Sequence, residues 1–186
     1  MDDLDLYAPV TERVTETLAR QLQTITRGNG YNMTVNRVAR SLSIDGLEDA
    51  APALALIGGN VREVGEVSQG TYDLLHVVRP FEVHYFIPTT EDYEQDTWAE
   101  LMAADIYRAL MPRDINQTQL YDTWGGGPFP IEIAFRSERP FNSEIYLPRA
   151  HGRVQFEAQY QFMKTDPRRW NQDDQPVRLA HMEYGV

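Results

Sequence analysis

The sequence predicts an α/β (α+β) fold, in which a mostly antiparallel or mixed sheet of about four long strands is packed by two helices. Three observations predict it. Residues 153–165, RVQFEAQYQFMKT, alternate apolar and polar side chains, as a long half-buried strand does. Residues 9–27 and 89–111 carry apolar side chains at helical spacing. Residues 116–152 form a long β-rich excursion before the last strand.

The first helix is predicted over residues 9–27 and is followed by a strand. Its apolar stripe consists of Val10, Val14, Leu18, Leu22 and Ile25. Pro9 suits the first helical turn, and the run Gly28-Asn29-Gly30 provides a stop that tolerates the left-handed conformation. Residues 31–40, YNMTVNRVAR, then alternate and predict a strand with one apolar face.

The middle of the chain predicts two more strands. Residues 53–57 are a short apolar run between Pro52 and a glycine pair, which favours a buried strand. Residues 74–87, LLHVVRPFEVHYFI, predict a long strand, but Pro80 lacks a backbone donor, so this strand is expected at an edge or bulged there. Residues 58–72 are predicted as a loop away from the sheet.

The second helix is predicted over residues 89–111. Its core stripe is predicted to contain Trp98, Leu101, Met102, Ile106, Ala109 and Leu110. The acidic residues Glu91, Asp92, Glu94 and Asp96 favour a helix N-terminus over a cation site. Pro112 is expected to end the helix, which would lie along the sheet and cover it.

Residues 1–165 are predicted to form one domain, which includes the excursion at 116–152. The run Gly125-Gly126-Gly127 predicts a mobile or tightly turning segment there. Residues 166–186 are polar and aperiodic, and we expect this C-terminal tail to contact neighbouring subunits. Its deletion should spare the fold and weaken assembly.

Composition excludes several classes of function. The chain has 186 residues, a net charge of −11 and no cysteine, so disulfides and thiol chemistry are excluded. The acidic balance disfavours nucleic-acid binding as the main activity. Sixteen of the 17 basic residues are arginine, which suits protein interfaces but equally fits a GC-rich genome. The acidic N-terminus and the lack of a long apolar run predict a soluble, unexported protein with no membrane contact.

The sequence predicts no catalytic, cofactor-binding or metal-binding residues. His76 and His84 lie too far apart on one strand to share a metal, and neither His151 nor His181 has a partner at ligand spacing. Glu82 beside His84 is interpreted as a solvated pair. Arg136, Arg139, Arg149 and Arg153 form a cluster that either faces an acidic partner or is scattered surface charge.

The order of these segments resembles the tail terminator (tail completion) proteins of tailed bacteriophages. The segments that carry the resemblance are ITRGNGYNMTVNRVAR after the amphipathic helix, then APALALIGG, EVHYFI, WAELMAADIYRAL and VQFEAQYQFMKTDP. They cover roughly residues 8–111 and 153–167. The excursion at 116–152 and the residues after Pro167 depart from the family pattern.

The resemblance implies a structural virion protein rather than an enzyme. Members form a ring, usually a hexamer, that caps the tail tube, stops its polymerisation and joins the tail to the neck. The expected partners are further copies of the chain, the tail tube protein, the neck or head-completion protein and, as an additional candidate, the sheath. DNA would pass through the lumen without specific binding, which agrees with the acidic balance. The expected location is the virion, at the junction of tail and neck, after assembly in the host cytoplasm.

Two alternatives stay open. One is a head-completion protein, a neck adaptor or another tube-like tail component on a similar scaffold. The other is a small-molecule enzyme or binding module. Ring formation without a bound cofactor would separate the virion proteins from this second class.

Overall fold

The computed structural model describes residues 10–40, 47, 49–69, 72–88, 95–111, 120–121, 130–136, 142–146 and 149–163. Within these residues it contains two helices and eight strands. The helices are α1 (Val10–Gln23) and α2 (Gln95–Leu110). The strands are β1 (Arg37–Ala39), β2 (Ala53–Gly58), β3 (Arg62–Gln69), β4 (Tyr72–Pro88), β5 (Leu120–Tyr121), β6 (Pro130–Phe135), β7 (Asn142–Tyr146) and β8 (Arg149–Met163). The predicted α+β class, a sheet packed by two helices, is confirmed.

The sheet is built around the antiparallel pair of β4, with 17 residues, and β8, with 15 residues. Its main path runs β1-β2-β4-β8-β6-β5. Strand β3 pairs with β4 beyond the end of β2, and β7 pairs with β8 beyond the end of β6. The pair β1–β2 is parallel and the other described pairs are antiparallel, so the sheet is mixed.

Pro80 lies in a central strand, so of the two expectations the edge position is wrong, whereas the ladder is irregular beside Pro80: four positions separate Gly58 from Arg62, and three separate their partners Phe81 and Val78. The residue is opposite Glu157 of β8, while its other side faces the gap between β2 and β3. The Pro80 carbonyl accepts a hydrogen bond from the backbone N–H of Gly59 in that gap, at 2.8 Å. Since N–H and C=O of one strand residue point to the same side, the missing donor of Pro80 falls where the ladder is already interrupted.

Two further strand predictions are corrected. Residues 58–72, predicted as a loop, contain the eight-residue strand β3. Residues 31–40, predicted as one strand, contain only the three-residue strand β1. Tyr31, Met33 and Val35 are nevertheless buried in alternation, because this extended segment packs against the helices before it reaches the sheet.

Both helices pack on one face of the sheet and form the main core with it. The odd-numbered residues of β4 and the even-numbered residues of β8 face the helices, in agreement with the alternation predicted for β8. Phe81 and Phe156 stack at the centre of this layer, with ring centroids 5.5 Å apart. The core-facing residues of the two strands are Leu75, Val77, Phe81, Val83, Tyr85, Ile87, Val154, Phe156, Ala158 and Tyr160.

Helix α1 follows its predicted stripe, and a 3₁₀ turn follows it. Val14, Leu18, Leu22 and Ile25 are completely buried. The helix ends at Gln23, and residues Arg27–Asn29 form the short turn before Gly30. Gly30 has a φ of +81° and donates its N–H to the carbonyl of Arg27, so the predicted left-handed stop is confirmed there.

Helix α2 is described over Gln95–Leu110, within the predicted range, and its buried stripe is shifted. Met102 and Ile106 are fully buried, as expected, but Trp98 and Leu101 are only half-buried. The buried stripe instead begins at Ala99, because small residues bring the helix close to the sheet. Glu91, Asp92, Glu94 and Pro112 lie outside the described residues.

Part of the predicted excursion belongs to the sheet. Strand β6 pairs with β8 from Ile131 opposite Tyr160 to Phe135 opposite Phe156, and Ile131 is completely buried. Strand β8 also begins at Arg149, earlier than the sequence indicates. The run Gly125-Gly126-Gly127 and the tail at 166–186 lie outside the described residues.

Buried polar contacts connect the helices to the loops and the sheet. The carboxylate of Asp105 in α2 is fully buried and accepts hydrogen bonds from the backbone N–H and side-chain amide of Asn32 and from the N–H of Met33, at 2.8–3.2 Å. Arg79 of β4 donates to the hydroxyl of Thr15 in α1 and to the carbonyl of Gly59. A side chain at Gly58 would collide with this guanidinium, since its Cβ would lie 2.6 Å from Nη2.

Candidate functional site: the polar face of the sheet

The polar face is the face of β4 and β8 that points away from the helices. It carries the even-numbered residues of β4 and the odd-numbered residues of β8. Towards β2 this face is apolar, with Ala53, Ala55 and Ile57 packed beside Phe86. Towards β8 it carries two clusters of polar side chains, one around Glu82 and His84 and the other around Glu157.

A chain of three side chains crosses the polar face from β4 to β8. Nε2 of His84 lies 3.1 Å from Oε2 of Glu82, and Nδ1 of His84 lies 3.1 Å from Nε2 of His151. With the proton on Nε2, His84 donates to Glu82 and accepts from His151. His84 is 9% exposed, so these hydrogen bonds hold a buried imidazole in a fixed orientation between the two strands.

The two imidazoles face each other as a hydrogen-bonded pair. Their planes differ by 15° and their centroids are 5.4 Å apart, while the ring of Phe86 stacks on His151 at 4.9 Å. In nearly coplanar rings whose nitrogens meet edge to edge, the N–H of one ring points at the lone pair of the other, so neither nitrogen is directed at a common third atom. Among the described residues, no group of three or more His, Cys, Asp or Glu side chains is arranged to hold a metal ion.

Glu82 is held in its ionised form by the groups around it. Burial acts against this, but hydrogen bonds from Gln155, at 2.6 Å, and from His84 keep the pKa of Glu82 below its usual value. Arg153, whose guanidinium is 3.7 Å from the same carboxylate, contributes in the same direction. The carboxylate therefore connects both strands at neutral pH.

A second carboxylate, Glu157, lies further along the polar face and is flanked by two arginines. Its side chain is 7% exposed. Arg62 of β3 approaches one carboxylate oxygen at 3.4 Å, and Arg136, just after β6, bonds to the other. The side chains of these two arginines are 66% and 60% exposed. One buried negative charge thus holds two exposed positive charges, which we call the guanidinium pair.

The structure brings together residues that the sequence treated separately. Glu82 and His84 do converge, but His84 is buried rather than solvated, so that interpretation is wrong. His151, for which the sequence offers no partner at metal-ligand spacing, is bonded to His84, because β8 starts early enough to include it. His76 lies on the same face of β4, eight residues from His84, and His181 lies outside the described residues.

The predicted arginine cluster is found only in part. Arg136 and Arg153 both lie on the polar face, each beside a carboxylate. The contacts of Arg139 and Arg149 lie outside what the structure describes. Arg62 was missed, because nothing in its local sequence indicated a strand, and its partner Glu157 is separated from it by 95 positions.

A groove of about 310 Å³ lies away from the polar face. It opens at the end of the sheet where β2 begins and β4 ends. Its lining residues are Arg27, Met33, Thr34, Asn36, Pro52, Pro88 and Trp98. The groove shares no residue with the polar network, so its walls and the imidazole pair do not form one site.

The network holds its imidazoles on the surface of the sheet between β4 and β8, and the guanidinium pair is exposed further along the same face. Neither helix in the described part of the chain is long and apolar enough to cross a membrane.

No protein-family model matches the chain, and no curated protein matches it significantly.

Proposed function

We propose that this protein is a tail terminator of a tailed bacteriophage. In this role it is a non-enzymatic virion protein that forms a ring, most commonly a hexamer, on the last ring of the tail tube. The ring stops tube polymerisation and presents a new surface to the neck. The tube protein and the neck or head-completion protein are its partners.

The observation that carries the proposal is the order and placement of the elements. An amphipathic helix, a glycine-asparagine turn, a short strand after proline, a long strand, a second helix and a long last strand occur in the order that the resemblance implies. Both helices cover one face of the sheet, and the opposite, polar face presents the exposed guanidinium groups of Arg62 and Arg136. The net charge of −11 also suits a ring through which DNA passes without adhering.

Deletion of the gene from the phage tests the proposal. We expect capsids that still fill with DNA and tail tubes of abnormal length that do not join them, seen by negative-stain electron microscopy. Expression of the intact gene from a plasmid should restore joined particles. Finished tails of normal length that lie beside heads would favour a neck adaptor instead, and normal infectious particles would exclude both roles.

The purified chain provides a second test, which needs no phage genetics. We expect closed rings in negative-stain images, at least when the tube protein is present, because a cyclic assembly offers one surface to the tube and the opposite surface to the neck. If the chain remains monomeric with and without the tube protein, the proposed role is wrong.

A further inference from the structure

The guanidinium pair carries two positive charges, whereas the carboxylate of Glu157 that holds it carries one negative charge. Arg62 and Arg136 each use one nitrogen on Glu157 among the described contacts. A guanidinium has five N–H donors in a planar fork, and one bidentate arginine is enough to pair a carboxylate. Two exposed arginines on one buried carboxylate therefore leave a net positive charge and several donors that face outward.

A complementary pair of carboxylates lies on the opposite side of the subunit. Asp96 and Glu100 are exposed and lie four positions apart in α2, on the helix layer. Like charges at this spacing on a helix repel each other. Neither residue forms an ion pair with another described residue, so a cationic partner would relieve the repulsion.

We infer that the guanidinium pair of one subunit binds the Asp96–Glu100 carboxylates of α2 in a second copy of this chain. The two surfaces lie on opposite layers of the subunit, since α2 packs on the face of the sheet that is opposite to Arg62 and Arg136. Contact between two different surfaces of identical chains is heterologous, and it produces a closed ring when the rotation between copies closes. The inference rests on the self-association part of the proposed function and names the surfaces that carry it.

Local charge supports a second copy as the occupant, since that copy carries Asp96 and Glu100 on its exposed helix surface. The net charge of −11 makes whole copies repel each other, so association depends on local pairs of opposite charge such as this one. Arginine pairs well with carboxylates at interfaces, because its planar fork is less strongly hydrated than an ammonium group. Such contacts steer association and fix its register, and they weaken as salt is added.

The test is sedimentation velocity of the full-length chain over a range of protein and salt concentrations. We expect wild-type association that weakens with salt, and an association constant at least about tenfold lower in the Arg62→Gln/Arg136→Gln variant. Glu157→Gln separates the two roles of the arginines: a purely structural role predicts the same loss, whereas the proposed contact predicts unchanged or stronger association. Arg20→Gln is the matched control, because Arg20 is 51% exposed and pairs with Glu16 on α1.

A charge swap tests the pairing itself. The Asp96→Lys/Glu100→Lys variant alone should abolish association. The Arg62→Glu/Arg136→Glu variant should do the same, and it is made together with Glu157→Gln so that three carboxylates do not adjoin. The combination of all five changes should restore it, and thermal melts confirm that each variant is folded. A monomeric wild type, association that ignores Arg62 and Arg136, or a combined variant that does not recover would each overturn the inference. Rings that persist without the guanidinium pair would overturn this contact and leave the proposed function intact, whereas normal particles from the gene deletion would overturn the function alone.

Discussion

Tyr85 shows at the residue scale how a buried polar group makes stability depend on pH. The residue is fully buried, and its hydroxyl has no hydrogen-bond partner among the described residues. Burial, with a smaller effect from Glu100, raises the pKa of Tyr85 to about 12. The unfolded value is about 10, so this contribution to stability is complete below that pH and is lost as pH rises towards 12.

Tyr85→Phe should therefore leave the free energy of unfolding at neutral pH unchanged or slightly higher, since it removes an unpaired buried hydroxyl. The loss of stability at alkaline pH should become smaller but not vanish, because burial also raises the pKa of Tyr160 to about 12. Urea unfolding at several pH values between about 7 and 11 measures both effects. A loss of more than about 2 kcal/mol at neutral pH would mean that the hydroxyl has a partner.

Asp105 is the buried carboxylate whose bonds fix the segment after α1. Asp105→Ala would leave the backbone N–H groups of Asn32 and Met33 without their acceptor, and we expect a loss of about 3 kcal/mol. Thr97→Ala in the same helix is the control, and because Thr97 is exposed we expect a change within about 0.5 kcal/mol. Equal effects of the two substitutions in denaturant unfolding would contradict this role of Asp105.

At the scale of elements, the turn after α1 contains two glycines, Gly28 and Gly30, that differ in how well they should tolerate a side chain. Gly30 has a positive φ, where a side chain is strained, whereas a Cβ at Gly28 would only make an ordinary 3.8 Å contact with Thr26. Gly30→Ala should lower the free energy of unfolding by about 1 kcal/mol, and Gly28→Ala should cost much less. Thermal and urea unfolding of the two variants measure the difference, and a larger loss at Gly28 would refute this account of the turn.

The sequence predicts those elements whose pattern is local. The alternation in β8 and the apolar stripe of α1 can each be recognised within one short stretch of sequence. The structure confirms the buried face that each pattern predicts. Strand β3, REVGEVSQ, was missed because it has few apolar residues, and its structure depends on pairing with β4. The contact between His84 and His151 joins residues 67 positions apart, so only the register between strands reveals it.

At the scale of the whole molecule, burial varies along the central strand β4. Its second half pairs with β2 and β8, and its core-facing residues Val83, Tyr85 and Ile87 are completely buried. Its first half also pairs with β8 and, on its other side, with β3, whose register shifts between Glu63 and Gly65. Leu75 in this half keeps a small exposure. Because a bulge interrupts the hydrogen-bond ladder between β3 and β4, we expect the first half of β4 to be less stably paired on this side than the second half is with β2.

Native-state hydrogen exchange should therefore show a gradient within one strand. Amides in the second half of β4 and the paired part of β8 are expected to exchange only through global unfolding, while those of β3 and the first half of β4 open at lower free energy. Strand β1, with three residues, should exchange faster than either half of β4. Mass spectrometry or NMR at increasing low denaturant concentrations separates these openings. Uniform protection along β4 would show that the sheet unfolds as one unit. Faster exchange in the second half of β4 would contradict the burial pattern, because it would place the most stable part of the molecule beside β3.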